Sequence, residues 1–241
     1  MEKRKWTIAL ALICIVSLSC NVLFLIWARN RNGAETGDTN KTDTEEQSET
    51  PVNWTLESWR SSLKAMDVDA DVAFFGDSIT KNGAWAEAFP DVRIVNLGLS
   101  GDSVSGMTSR VDMIASVKAE KVFILGGINS LKGSNSAEIL EQYQNMLESV
   151  HEAVPDAQIY VQSVLPISAE KEEVCTDNSV IVSFNAEIEK LAEEAGATYI
   201  NIHDLYELDG LMDPNLTKDG IHLKPEAYDR WYQAIEEYVY D

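Results

Sequence analysis

The sequence has almost no cysteine and little positive charge. Three cysteines occur in 241 residues, and two of them, Cys14 and Cys20, fall in one apolar run near the N-terminus. Cys175 stands alone in the rest of the chain, so no disulfide can form there and the fold must stand on its core. A solitary thiol with no histidine close by in sequence reads as inert. Histidine is scarce as well: His151, His203 and His222 are the only three. Scattered like this, they build no zinc-ligand spacing, and neither a metal nor an organic cofactor is expected. No Gly-rich phosphate loop of Walker type and no internal repeat is present. Lys and Arg total 19 against 40 Asp and Glu, a formal net charge of −21. Such a surface repels phosphate backbones, so nucleic acid is excluded as an expected partner.

Charge is also missing from one long stretch. Between "MEKRK" and Arg29, the run Trp6 to Trp27 contains no charged residue. A run of this length, at about 1.5 Å per residue, would cross a hydrocarbon core of about 30 Å. Trp6 and Trp27 lie where interfacial aromatics belong, and Lys3, Arg4 and Lys5 favour a cytoplasmic N-terminus. The expectation is an uncleaved, single-pass signal-anchor over residues 1–31. A lipoprotein signal at "SLSC" and a cleaved signal are the rivals; the apolar run continues past both sites. Residues 32–53, "NGAETGDTNKTDTEEQSETPVN", hold almost nothing apolar and read as a disordered acidic linker. That leaves 54–241 as a single domain, expected on the extracytoplasmic side of the cell membrane; the sequence leaves its oligomeric state open.

Within the domain, short apolar runs alternate with amphipathic stretches. Strands are expected at "DVAFFGDS", "VRIVNLGLSG", "KVFILGG", "QIYVQSVLP" and "ATYINIHDL". Between and after them, helices are expected around "AWAEAF", "VDMIASVKA", "SAEILEQYQNMLESVHEAV", "VSFNAEIEKLAEEAG" and "PEAYDRWYQAIEEYVY". In the longest, Ile139, Leu140, Tyr143, Met146, Leu147 and Val150 keep one face apolar at a period near 3.6. Strands separated by helices predict an α/β fold whose parallel sheet is covered on both faces. Sites in such sheets form beyond the carboxyl ends of the strands. The residues to consider together are therefore Gly76-Asp77-Ser78, Ser100-Gly101-Asp102, Gly126-Gly127-Ile128-Asn129 and Asp204.

Serine is a weak nucleophile unless a base takes its proton and a third group orients that base. Standing alone, Ser78 could be no more than the cap of a following helix. His151 reads as a surface residue of the amphipathic helix and His203 as structural. His222 sits in "TKDGIHLKPEAY", three residues after Asp219. In a tight turn that carboxylate can hold Nδ1–H, leaving Nε2 free to accept the Ser78 proton.

Four blocks, "GDSIT", "NLGLSGDS", "GGIN" and "DGIHL", occur in that order and span most of the domain. Together they resemble the signature blocks of the SGNH, or GDSL, hydrolases, esterases and lipases of flavodoxin-like α/β/α architecture. The resemblance implies a three-layer α/β/α sandwich with a five-stranded parallel sheet, here preceded by the transmembrane helix. It implies Ser78 as nucleophile, and Asp219 and His222 as acid and base. The Gly101 N–H and the Asn129 side-chain amide, with the Ser78 N–H, would form the oxyanion hole. Ser130 follows Asn129 where the family often has Asp, which implies altered support of that loop. Nothing in the chain resembles the Gly-x-Ser-x-Gly elbow of the larger α/β-hydrolases. The implied activity is hydrolysis of acyl esters, O-acetyl groups on glycans above all. A lysophospholipase or thioesterase, an acyltransferase and a non-catalytic glycan-binding module are the alternatives.

Overall fold

A computed structural model describes residues 55–133 and 135–241, and these form part of one compact unit, residues 53–241. The expected anchor at 1–31 and linker at 32–53 lie outside the described residues. Among the described residues no helix is long and apolar enough to cross a membrane.

The first strand, β1 (Val72–Gly76), is buried along its whole length, which requires cover on both faces. It is central: β2 (Ile94–Gly98) pairs with it on one side and β3 (Lys121–Leu125) on the other, both parallel. Next come β4 (Gln158–Gln162) and β5 (Thr198–Ile200), also parallel, giving the order β2-β1-β3-β4-β5. This is the flavodoxin-like order, with its switch point between β1 and β3.

Strand periodicity divides the core in two. Ala73, Phe75, Val122 and Ile124 point to one face; Val72, Phe74, Phe123 and Leu125 point to the other. The first face is largely aliphatic. It is covered by α1 (Leu56–Met66), α4 (Val104–Thr108), α5 (Asp112–Ser116), α7 (Ser136–Ala153) and α9 (Asn178–Glu194). The second is aromatic and is covered by α3 (Trp85–Ala88) and α10 (Tyr228–Tyr240). There Trp85 stacks on Phe74 at 3.9 Å, Phe74 on Phe123 at 5.0 Å and Phe123 on Tyr160 at 4.5 Å, a ladder across three strands. Trp231 of α10 packs edge-on against Trp85 and donates Nε1–H to Gln162 at 2.6 Å, so its one polar atom is satisfied.

Some elements differ from the pattern-based expectation. Helix α1 is additional; it starts at the Thr55 cap and buries Leu63. Helix α9 begins at Asn178, earlier than its apolar pattern indicates, because two of its asparagines are spent on the loop beside it. Asn185 bonds both the N–H and the C=O of Val164, and Asn178 does the same for Ile167. They replace a neighbouring strand, which is why β4 stops at Gln162 although the apolar run continues. The fifth strand stops at Ile200, because the Ser163 hydroxyl accepts from the N–H groups of Ile202 and His203 and turns the chain into a 3₁₀ turn at His203–Leu205. A small antiparallel hairpin, β6 (Glu207–Leu208) with β7 (Leu211–Met212), then carries the chain back across the carboxyl ends of the strands.

Candidate active site

Ser78 opens a one-turn helix, α2 (Ser78–Lys81), directly after β1. The cap of that helix is the preceding Asp77, whose Oδ1 accepts from Ile79 N–H at 2.8 Å. The Ser78 hydroxyl is thus not used for capping. It lies 2.9 Å from Nε2 of His222.

His222 is presented by a loop that fixes its own shape. Thr217 pairs with Leu223, the Thr217 hydroxyl donates to the His222 carbonyl at 2.8 Å, and the same oxygen accepts from Gly220 N–H at 2.9 Å. Asp219 lies inside this loop. Its Oδ2 is 2.7 Å from His222 Nδ1, and its Oδ1 accepts from the backbone N–H of His222 at 2.8 Å and of Ile221 at 3.1 Å. Partial burial pushes the Asp219 carboxyl up, but these N–H groups and the imidazole outweigh it and hold the group down at about 2. At neutral pH it is an anion facing Nδ1, which selects the tautomer with the proton on Nδ1 and a lone pair on Nε2. An imidazole held this way can take the hydroxyl proton.

Two further loops reach the same rim. Gly101 follows β2 with φ +74, and a Cβ there would meet no atom within 4 Å. Glycine is needed there for the left-handed backbone and not for lack of space. Asn129, in α6 (Ile128–Leu131) after β3, donates one Nδ2 hydrogen to the Asp102 carbonyl at 2.9 Å, leaving its second amide hydrogen for another acceptor. Ser130, the departure from the family pattern, is buried, and its hydroxyl accepts from Val104 N–H at 2.9 Å, tying α4 to α6. Among the described residues the amides of Ser78 and Gly101 donate to no protein acceptor. The structure therefore brings Ser78, Gly101, Asn129, Asp219 and His222 together around one cleft of about 560 Å³.

A residue that sequence reasoning missed underlies this rim. Arg110 is completely buried. Its Nε donates to Asp102 Oδ2 at 2.6 Å, Nη1 to the Leu97 carbonyl at 2.7 Å and Nη2 to the Gly76 carbonyl at 2.9 Å, and the guanidinium lies 4.3 Å over the Phe75 ring. One side chain joins the ends of β1 and β2 to the loop that carries Gly101. Gly106 completes the fit, since a Cβ there would come within 2.1 Å of Asp102 Oδ1. Asp77 is equally buried, and its Oδ2 has no partner. Burial pushes its carboxyl up to about 7, against the pull of the Ile79 N–H.

The other histidines stand apart from this cleft. His151 is exposed on α7. His203 is buried, with Nδ1 3.3 Å from Asp204 and Nε2 unpartnered. The structure adds two features that spacing along the chain does not show. His203, Asp204 and Glu207 bring ligand-type atoms within 4.8 Å of one another, so one histidine does meet carboxylates. Cys175, distant from His222 in sequence, lines the same cleft, half-buried.

A family model described as the GDSL-like Lipase/Acylhydrolase family matches residues 74–230. No curated protein matches the chain. Among solved structures, the chain is similar to a GDSL-like lipase from Bacteroides thetaiotaomicron: 22% identity, 75% of this chain and 95% of that one covered, TM-score 0.63. For a lipase/acylhydrolase from Enterococcus faecalis the values are 17%, 70%, 94% and 0.60. For Axe2, an acetylxylan esterase from Geobacillus stearothermophilus, they are 19%, 72%, 95% and 0.58. At these identities the likeness concerns the fold.

Proposed function

The chain belongs to the GDSL-like lipase/acylhydrolase family and is an ester hydrolase; from that premise we propose that it removes short acyl groups, acetyl above all, from carbohydrate alcohols. Ser78 attacks the ester carbonyl while His222 Nε2 takes its proton, and the Asp219 carboxylate holds the imidazolium that forms. The amides of Ser78 and Gly101 and the free amide hydrogen of Asn129 receive the developing oxyanion. His222 then protonates the leaving alcohol. Water, deprotonated by the same imidazole, releases the acid from the acyl-enzyme.

The observation that carries this reading is the unbroken line from Asp219 Oδ2 through His222 to the Ser78 hydroxyl, at 2.7 Å and 2.9 Å. It also weighs against a purely glycan-binding module, which has no need of an oriented base. The choice of a short acyl group rests on the cleft lining. Most of its lining residues are polar by type although more of its surface is apolar than polar, and the aliphatic and thiol side chains in it, Ile128, Cys175 and Ile221, are too few to sheathe a long chain. The acetylxylan esterase among the structural relatives agrees with that choice.

The test is turnover by the full-length chain of 4-nitrophenyl esters from acetyl to palmitoyl, with labelling by a fluorophosphonate. Wild type is expected to favour acetyl and to be labelled at Ser78. Ser78→Ala should lose about 10⁴-fold or more in kcat and all labelling while keeping its circular dichroism spectrum. Equal turnover by both proteins would end the serine-esterase reading, and a palmitoyl optimum would replace acetyl with long acyl chains. The domain is proposed to work outside the cytoplasm, tethered by residues 1–31. Protease digestion of intact cells should remove it, and full protection would reject that location.

A further inference from the structure

We propose that an ester lies across the cleft in one direction, its acyl group towards β3 and β4 against Ile128, Cys175 and Ile221 and its alcohol over the end of β2, and that Cys175 limits the length of the acyl chain. The inference rests on the short-acyl esterase reading above and gives that substrate a direction. It starts from the order of the strands. In β2-β1-β3-β4-β5 the nucleophile follows β1, so the cleft has a β2 side and a β3–β4 side. On the β2 side stand Asn82, Ser100 and Gly101. Ser100 and Gly101 come just after β2. Asn82 ends α2, whose last turn crosses β2 so closely that a Cβ on Gly98 would come within 2.3 Å of the Lys81 nitrogen. On the other side Ile128 follows β3, and Cys175 lies beyond α8 (Ala169–Glu172), which follows β4. Ile221 joins them from the loop that carries the base, because that loop is pinned to the start of α8. Ser168 N–H donates to the Gly220 carbonyl at 2.9 Å, and a Cβ on Gly220 would meet Ser168 Oγ at 2.2 Å.

The two sides differ in chemistry and in enclosure. Asn82, Ser100 and Gly101 are exposed and offer hydrogen-bonding groups. Ile128 is buried, and Cys175 and Ile221 are half-buried and pack on the aliphatic core. Lys132 also follows β3, with an interaction partner of its own. A sugar alcohol needs polar partners, and a glycan longer than the cleft needs an open way out; the β2 side supplies both. An acyl methyl gains by leaving water, which the enclosed apolar side allows. The wall at Cys175 is also fixed. Its N–H donates to the Lys171 carbonyl at 2.8 Å, and Glu172 Oε1 accepts from the Asn178 N–H at 3.0 Å and from the Asn178 amide at 2.9 Å. A wall held in this way does not retreat before a longer chain, so the bulk at position 175 sets the limit. The thiol acts here by its size, not as a nucleophile.

The experiment uses the full-length chain and 4-nitrophenyl acetate, propionate and butyrate, which share one leaving group. Cys175→Ala opens roughly the space of one methylene, and a buried methylene is worth about fourfold, so the propionyl-to-acetyl ratio of kcat/KM should rise about fourfold. Cys175→Leu takes space away and should lower that ratio below the wild-type value. Asn82→Leu tests the opposite side. With the acyl group held as acetyl, turnover of an O-acetylated methyl glycoside should fall about two- to tenfold relative to 4-nitrophenyl acetate, while the propionyl-to-acetyl ratio stays at the wild-type value. Circular dichroism checks folding, and should one Cys175 variant misfold the other reads the limit alone. Wild-type acyl ratios in the folded Cys175 variants, or an acyl ratio that moves in Asn82→Leu instead, would overturn the inference and leave the esterase reading intact. A palmitoyl optimum in wild type, or no turnover of any ester, would remove both.

Discussion

At the amino ends of the strands charge is exposed and paired simply: Arg93 with Asp71, Lys118 with Asp67 and Asp69. Lys121 reaches the last carbonyls of α10, Tyr238 and Val239, at 3.1 Å each. At the carboxyl ends the pattern reverses. There Arg110 and Asp102 form an ion pair buried from solvent, and Asp77 lies fully buried with one oxygen unpartnered. Both rims close the same five strands, so the sheet itself does not require the costly arrangement. What differs is the task. The amino rim carries no part of the proposed site, whereas the function proposed for the carboxyl rim would need a hydroxyl, an imidazole and three N–H donors at fixed separations, and fixed separations need buried, multiply bonded side chains.

The comparison breaks most visibly at Arg110. Arg110→Met removes the partner of a buried carboxylate and leaves the Leu97 and Gly76 carbonyls without their donor, so it should cost about 3–5 kcal/mol in urea unfolding. Arg110→Lys keeps the charge but loses the fork that bonds three acceptors at once. It should fall between wild type and methionine. At a temperature where it is fully folded, its kcat for an acetyl ester should still be reduced with KM little changed, because it shifts the donors and not the substrate contacts. A lysine variant as active as wild type would show that the ion pair serves stability alone.

Asn129→Ala tests the rim from the substrate side. It removes one proposed oxyanion donor and also the bond to the Asp102 carbonyl. Loss of such a donor costs about 10²–10³ in kcat. Single-turnover acylation should show the whole loss. A change confined to KM would mean that the amide only helps to bind substrate.

The sheet was legible in the sequence for a simple reason, dependence on residues adjacent in the chain, whereas Ser78, Gly101 and Asn129 were brought together with His222 by the resemblance of four separate blocks to the family. Five apolar runs give five strands, and Asp219 needs only a three-residue turn to reach His222. Arg110 was illegible because "SGMTSRVDM" looks like any short helical stretch with a surface arginine. Its role exists only where β1, β2 and the Asp102 loop converge. The same holds for Asn178 and Asn185, which read as ordinary helix polars and in fact complete the backbone of the neighbouring loop. Cys175 was set apart from any histidine by sequence distance, and folding places it in the cleft with His222. Convergence between distant segments leaves no local pattern to read.

Asp77 sharpens the contrast through pH. Its carboxyl is raised by burial to about 7 in the folded state, against an unfolded value near 3.8. Between those values the folded protein holds a proton that the unfolded chain releases, so this group's contribution is fully present below about 4 and is lost as pH rises through 7. Asp219 has the opposite sign: held at about 2, it contributes above about 4 and is lost as pH falls towards 2. Asp77→Asn keeps an oxygen for the Ile79 N–H while removing the titration. Relative to wild type it should therefore gain stability as pH rises from 4 to 8, by at most about 1.4 kcal/mol per pH unit, in urea midpoints converted to free energy. A constant difference across that range would mean that Asp77 is ionised in the folded protein.

The smallest effect belongs at the other end. Arg93 and Asp71 form an exposed pair beyond the amino ends of β1 and β2, and Asp71 also accepts from Arg93 N–H at 2.8 Å. Exposed pairs are worth about 0–1 kcal/mol and are screened by salt. Arg93→Ala should shift the urea transition by no more than that, less at 0.5 M salt, and should leave ester turnover unaltered because the backbone bond to Asp71 survives. If instead this substitution cost as much as Arg110→Met, the two rims would share one network of support. The buried ion pair could then no longer be explained by the chemistry at its own end.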